Sequence, residues 1–200
     1  KAIQSIGDQL LHRGPDDEGM LIDDNVGIGM RRLSIIDIEK GHQPISNEDS
    51  DIHIVLNGEI YNYKELRQDL IQQGHKFSTN SDVEVLVHLY EEYGYESIEK
   101  LNGMFAFILY DQKNKKVWVA KDRLGIKPLF YYHENNQLII GSDLSSVNSI
   151  VQQKVDKYSV MLYLGHSYVP APRTIYKNIS KLMPGEQIII ENNTVKISEY

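Results

Sequence analysis

Apolar positions recur with two different periods along this chain. At 27–32, 52–56, 104–111, 116–121, 129–132 and 137–141 they form short alternating or continuous runs, which predict strands. At 1–11, 63–73 and 82–93 they fall three and four residues apart, which predicts helices, with a further helical stretch near 97–100. The helix over 63–73 presents Tyr63, Leu66, Leu70 and Ile71. Asn62 can cap it, with Glu65 three residues on, and Gly74 ends it. Ser81 and Glu84 read as a capping box that places Asp82 in the first turn of the next helix. In "MFAFILY" both alternating faces are apolar, as expected of a strand covered on both sides. Connections such as "QKNK" and "HENN" are short enough for hairpins, so the sheets should be mainly antiparallel and the class α+β.

From about 155 the pattern thins. "VPAPRTIY" has two prolines and reads as an extended linker, and "QIIIENNTVKISEY" reads as a hairpin broken off in its second strand. The first helical pattern starts without a capping residue ahead of it. We therefore expect a piece of a longer chain, with one domain over 1–150 and, over 151–200, a linker leading into another.

"LNGEIYN" at 56–62 ends an apolar run with an amide, a glycine and a carboxylate. Asn-Gly is a strong hairpin signal, because both residues tolerate positive φ. A hairpin should lead into another strand, however, and here a helical pattern follows. Asn57, Gly58 and Glu59 thus join a strand end to a helix start, where polar groups can face a ligand.

Composition narrows the function. Two hundred residues suit one domain with a substantial core. The net charge of −7 argues against nucleic acid or an anionic membrane as the main partner. No apolar run is long enough to span a membrane. The absence of cysteine excludes disulfides and thiolate metal sites and fits a reducing compartment. No histidine pair has metal-ligand spacing such as H-E-x-x-H, so no metal site is expected and each histidine reads as a surface or core residue. "GIG" at 27–29 is no dinucleotide fingerprint, and there is neither a phosphate loop nor a G-x-S-x-G elbow.

What remains are polar clusters at the ends of elements: "HRGPDDEG" at 12–19, "RRLSIID" at 31–37, "LNGE", and Asp82 in "STNSDVEVLVHLY". Each has an ordinary reading. Asp82 could serve the helix dipole, and Arg32 could be a surface ion pair, since strand alternation lets only one of Arg31 and Arg32 face a given side. Together they describe a pocket for an amino acid. A guanidinium clamps an α-carboxylate, a carboxylate takes the α-ammonium, and an amide with a backbone N–H polarises a carbonyl.

"HRGPDDEG", "RLSIIDIEKGHQPI", "LNGEIYNYKELR", "GHKFSTNSDVEVLVHLYEEYG", "LNGMFAFILYD" and "KDRLGIKPLFYY" resemble, almost without gaps, the N-terminal glutaminase domain of glutamine-dependent asparagine synthetases. These are class II glutamine amidotransferases of the N-terminal-nucleophile hydrolase superfamily. "YVPAPRTIYKNISKLMPGE" resembles the family's link to its ATP-using domain, and "GSDLSSV" departs from the usual pattern at 141–147. The resemblance implies a layered αββα sandwich of mainly antiparallel sheets, missing the N-terminal strand that carries the nucleophile. Residues 151–200 would then be the linker and the start of the synthetase domain.

The resemblance also implies roles. Asn57 and Gly58 form the oxyanion hole. Arg32 holds the glutamine carboxylate, helped by the backbone of Leu33, Ser34, Ile35 and Ile36, while Asp82 and Glu59 stand at the α-amino end. The nucleophile is an N-terminal cysteine, which this chain lacks, so the 200 residues by themselves should be inactive. No cofactor is expected in this chain. ATP, Mg and aspartate belong to the synthetase domain, the enzyme would be cytoplasmic, and a homodimer is compatible. Two function classes stay open: the glutaminase half of an ammonia-transferring ligase, or a non-catalytic glutamine-binding or scaffold module.

Overall fold

The computed structural model describes residues 2–32 and 41–200. Lys1 and the segment Leu33, Ser34, Ile35 and Ile36 lie outside the described residues.

A six-stranded antiparallel sheet forms the centre. In chain order its strands are β3 (Ile45–Ser46), β4 (Ile52–Ile60), β5 (Gly103–Asp111), β6 (Lys116–Lys121), β10 (Glu186–Glu191) and β11 (Thr194–Glu199). Across the sheet the order is β11-β10-β6-β5-β4-β3. The alternation of "MFAFILY" divides the core as expected. Phe105, Phe107 and Leu109 join Ile54, Leu56, Ile60 and Trp118 on one face, under α2 (Tyr63–Gln72) and α3 (Glu84–Tyr93). Ala106 and Tyr110 join Val55, Val119 and Ile188 on the other. Phe107 meets Trp118 edge to face at 4.8 Å, an arrangement worth about 0.5–1.5 kcal/mol beyond area burial.

The second face is covered by a hairpin, β1 (Asp17–Asp23) with β2 (Val26–Arg32), and by a three-stranded sheet of β7 (Phe130–Glu134), β8 (Gln137–Gly141) and β9 (Ile179–Lys181). Ile28, Leu129 and Leu182 fill the seam between the layers. Outside these strands lie α1 (Ala2–Gln9), against β2, and α4 (Leu144–Val151), whose Val147 packs on Tyr132 and Ile179. The result is a helix–sheet–sheet–helix sandwich of α+β class. The remaining helix, α5 (Lys157–His166), keeps Met161, Tyr163 and Leu164 exposed.

Several expectations are corrected. β4 does not end at residue 56: its pairing continues through Asn57, Gly58 and Glu59 to Ile60 opposite Gly103, because β5 offers partners along its whole length. Asn62 precedes α2 but caps nothing. Its side chain bonds the Lys100 carbonyl and the Asn102 N–H, tying the helix start to the β5 entry. The capping box is also absent. Ser81 Oγ accepts from Val83 N–H at 3.2 Å, while the Glu84 carboxylate reaches back to Ser78 and Thr79, so α3 starts at Glu84. The stretch 97–100 belongs to a longer 3₁₀ helix, Gly94–Lys100.

β1 and α4 were not foreseen. The polar ends of β1 hid it, because Asp17 and Glu18 stand opposite Arg32 and Arg31 of β2. α4 carried a readable cap, Asp143, which accepts from Ser146 N–H at 3.0 Å. The expected boundary near 150 is no break in packing either. β9 pairs with β7 and β10 with β6, and Ile188 is fully buried between the sheets.

Candidate functional site

Strand alternation gathers the polar residues at one end of the seam. Val55, Asn57 and Glu59 share a face of β4, and Val55 packs in the seam. On β2, Ile28, Met30 and Arg32 face the same space, with Ile28 and Met30 in the seam core. Arg31 turns the other way. Its Nε donates to the Gly7 carbonyl at 3.3 Å and its guanidinium pairs with Glu18. Arg32 is buried at the end of β2, and Asp82 approaches from the segment before α3. The Asp82 carboxylate accepts from Ile60 N–H at 2.8 Å and feels the charges of both Glu59 and Arg32.

The outer edge of β4 is served mainly by side chains. Ile54 pairs with Ile45 of β3, but beyond it β3 stops. Gln43 takes over: Leu56 N–H donates to its Oε1 at 2.7 Å, and its Nε2 donates to the Leu56 carbonyl at 3.2 Å. Two steps past Gly58, the Asp82 carboxylate accepts from Ile60 N–H. Gly58 has the parity of Leu56 and Ile60. Its β5 partner Phe105 turns its carbonyl to Asp122 N–H at 2.8 Å, so the Gly58 N–H points away from β5 toward that open edge. Gly58 has φ +149°, and a Cβ there would fall 2.0 Å from the Met104 carbonyl oxygen, so only glycine fits. Asn57 and Glu59 are half-buried, and among the described residues no hydrogen bond engages either side chain.

Burial pushes the Asp82 carboxyl above its usual range. The Ile60 N–H offsets this, Glu59 adds to it, and Arg32 opposes it. A raised carboxyl that is mostly surrounded by protein gains by receiving a cation. The end of the seam thus offers a guanidinium, two carboxylates, an amide and an edge N–H within one small region.

The other expected cluster reaches the site only through the backbone of Arg32, whose carbonyl accepts from Asp16 N–H at 3.1 Å and which stands opposite Asp17. In "HRGPDDEG", Asp17 pairs with His42 at 2.7 Å, Glu18 with Arg31, and Arg13 donates to the Ser142 carbonyl at 2.7 Å. These contacts brace the β1–β2 hairpin and the 142 turn. Gln43 was missed. Its only sequence signal was an amide inside the apolar "HQPI" stretch, and its role depends on where β3 ends.

A two-sheet sandwich between helices, with its polar groups at one end of the seam, is the N-terminal-nucleophile hydrolase class of fold. The glutamine amidotransferase domain family matches residues 1–200, and the chain belongs to that family. It is 42% identical over 190 residues to asparagine synthetase [glutamine-hydrolyzing] 1 of Bacillus subtilis, covering 94% of this chain and 30% of that protein. It is 35% identical over 221 residues to the putative asparagine synthetase [glutamine-hydrolyzing] 2 of Methanocaldococcus jannaschii, covering 99% and 42%. The chain therefore spans less than half the length of these curated relatives. Among solved structures, the glutamine phosphoribosylpyrophosphate amidotransferase of B. subtilis shares the fold, with a TM-score of 0.68 at 22% identity over 98% of this chain and 46% of that one.

Proposed function

We propose that this chain is the glutamine-hydrolysing part of a glutamine-dependent asparagine synthetase. The observation that carries the reading is the end of the seam: Arg32, Asp82 and Glu59 for the charged groups of an amino acid, beside Asn57 and the outward N–H of Gly58. Arg32 takes the α-carboxylate of glutamine, and the backbone of Leu33, Ser34, Ile35 and Ile36 assists. Asp82 and Glu59 take the α-ammonium. The side-chain amide carbonyl then lies against Asn57 and Gly58.

The chemistry needs a nucleophile that these 200 residues do not supply, since they hold no cysteine. A cysteine thiolate adds to the amide carbon, and its negative oxygen is held by the Asn57 amide and the Gly58 N–H. The C–N bond breaks as the nitrogen takes a proton, leaving a thioester and ammonia. Water hydrolyses the thioester to glutamate and returns the thiol. The ammonia goes to a second domain, outside these residues, where ATP with Mg activates aspartate in the cytoplasm. No phosphate loop occurs in this chain to hold the nucleotide.

The test uses full-length enzyme. Asn57→Ala should lower glutaminase kcat by roughly 10²–10³ with little change in KM, because an oxyanion donor acts in the transition state. Asn57→Asp should be at least as harmful. A folded Asn57→Asp enzyme with normal kcat would reduce Asn57 to a structural residue and remove it from the oxyanion hole. Arg32→Ala should raise KM for glutamine by roughly ten- to a hundredfold and spare ammonia-dependent synthesis, from the loss of a charged hydrogen bond worth about 1.5–3 kcal/mol.

A further inference from the structure

A second polar cluster lies between α3 and the start of β4, apart from the end of the seam. Glu48 comes from the turn between β3 and β4, His75 from the segment after α2, and His88 and Glu91 from successive turns of α3. We infer that Glu48, His75, His88 and Glu91 form a site for a divalent cation of the zinc class, which staples these three segments together.

The geometry carries this. His88 Nδ1 lies 3.1 Å from Glu91 Oε2 and 3.3 Å from Glu48 Oε2, and His75 Nδ1 lies 3.6 Å from Glu48 Oε1 and 3.7 Å from Glu91 Oε2. One ligand atom from each residue falls within 4.8 Å of all the others. Zinc bonds to imidazole nitrogen and carboxylate oxygen are about 2.0–2.2 Å, which places the corners of a tetrahedron roughly 3.3–3.6 Å apart. The four histidine–glutamate distances, 3.1–3.7 Å, are close to that spacing, with His88 facing Glu48 Oε2 and His75 facing Glu48 Oε1, and the widest pair of ligand atoms stays within 4.8 Å. Two imidazoles with two carboxylates also suit zinc better than magnesium, which prefers oxygen ligands and water.

The surroundings are those of a supported metal centre. Both histidines turn Nδ1 inward; His75 Nε2 is 2.9 Å from Glu92 Oε1, whereas His88 Nε2 lies 3.9 Å from Glu84 Oε1, beyond hydrogen-bond reach. A carboxylate–histidine pair such as His75 with Glu92 orients a metal ligand and raises its basicity. The ligating carboxylates are held as well. Asn47 Nδ2 donates to Glu91 and Lys76 N–H to Glu48, each at 2.8 Å. His88 is fully buried, its Nε2 makes no hydrogen bond, and its ring centroid is 4.8 Å from that of His75. Among the described residues Glu48, Glu84, Glu91 and Glu92 have no lysine or arginine in salt-bridge range; the basic side chains beside them are these two histidines.

No local histidine spacing in the sequence marks these residues, because they come from three segments joined only by folding. The inference stands independently of glutamine chemistry.

The experiment strips the full-length protein with a chelator, re-adds zinc alone, and measures bound metal per chain after dialysis. It is repeated with cobalt, whose visible d–d bands report four-coordinate geometry. Wild type should retain zinc at one equivalent more than His75→Ala, which should bind at least tenfold more weakly and lose the four-coordinate cobalt bands. Glu92→Gln, which removes only the support behind His75, should weaken binding by roughly 10- to 100-fold. Circular dichroism checks that the variants fold, and if His75→Ala does not, Glu92→Gln decides. Equal zinc content in wild type and a folded variant, or no zinc in wild type, overturns the site.

Discussion

Asp82 and Glu84 stand two residues apart, both almost wholly buried, yet the fold moves their carboxyl groups in opposite directions. Burial raises both. For Glu84 it is overcome by the His88 imidazole and by Thr79 Oγ1, Ser78 N–H and Thr79 N–H at 2.6, 2.6 and 2.8 Å, so its carboxyl falls below the usual range. For Asp82 the Ile60 N–H and the Arg32 charge do not suffice, and nearby Glu59 works against them. The protein completes the surroundings of Glu84 and leaves those of Asp82 to something else. That is the physical difference between a carboxylate that holds a structure and one placed to receive a cation.

The largest effect should come from breaking the completed member. Glu84→Ala takes the acceptor from the Ser78 and Thr79 N–H groups and the Thr79 hydroxyl and removes the carboxylate nearest the fully buried His88 Nε2, and should cost about 3–5 kcal/mol of stability, read from denaturant unfolding of the full-length protein. Asp82→Ala should cost clearly less, and equal losses would break the comparison. The glycine between the two β4 groups that Gln43 and Asp82 complete is nearly as intolerant. Gly58→Ala, with its Cβ against the Met104 carbonyl, should cost about 3–4 kcal/mol.

The pH dependence sharpens the contrast. Because the folded Glu84 carboxyl is lowered, its contribution is present above the ordinary value of 4.5 and lost as pH falls through its lowered value. Because the folded Asp82 carboxyl is raised, its contribution is present below 3.8 and lost as pH rises through its raised value. Asp82→Asn should therefore gain stability relative to wild type as pH rises past that point, while glutamine binding weakens by about 1.5–3 kcal/mol on the proposed reading. A variant less stable than wild type at neutral pH, judged by its melting temperature, would show that Asp82 is a structural group after all. The smallest effect belongs to Arg31→Ala, which loses the pairing with Glu18 on the outer side of β2 and should change stability by no more than about 1 kcal/mol.

Much of this was legible along the chain. The alternation of 104–111 showed a strand covered on both faces, and β5 lies between both core clusters. The parity of Arg31 and Arg32 showed that only one could face the seam. It did not show which, because that depends on α1 packing against the far side of β2. The Asn57-Gly58-Glu59 stretch was legible as unusual, but its backbone was misread as a strand end, since only the full length of β5 extends the pairing to Ile60.

By itself, then, the sequence determined the local matters: which residues alternate, where hairpins turn, which glycine sits among polar neighbours, and the family they resemble. Those follow from side-chain spacing and backbone preference, which act within a few residues. Tertiary structure alone decided that Gln43 completes Leu56, that Asp82 serves the Ile60 N–H rather than the helix dipole alone, and that His75 and His88 meet between two glutamates. Each of these joins segments far apart in the chain, and burial, not propensity, sets their energies.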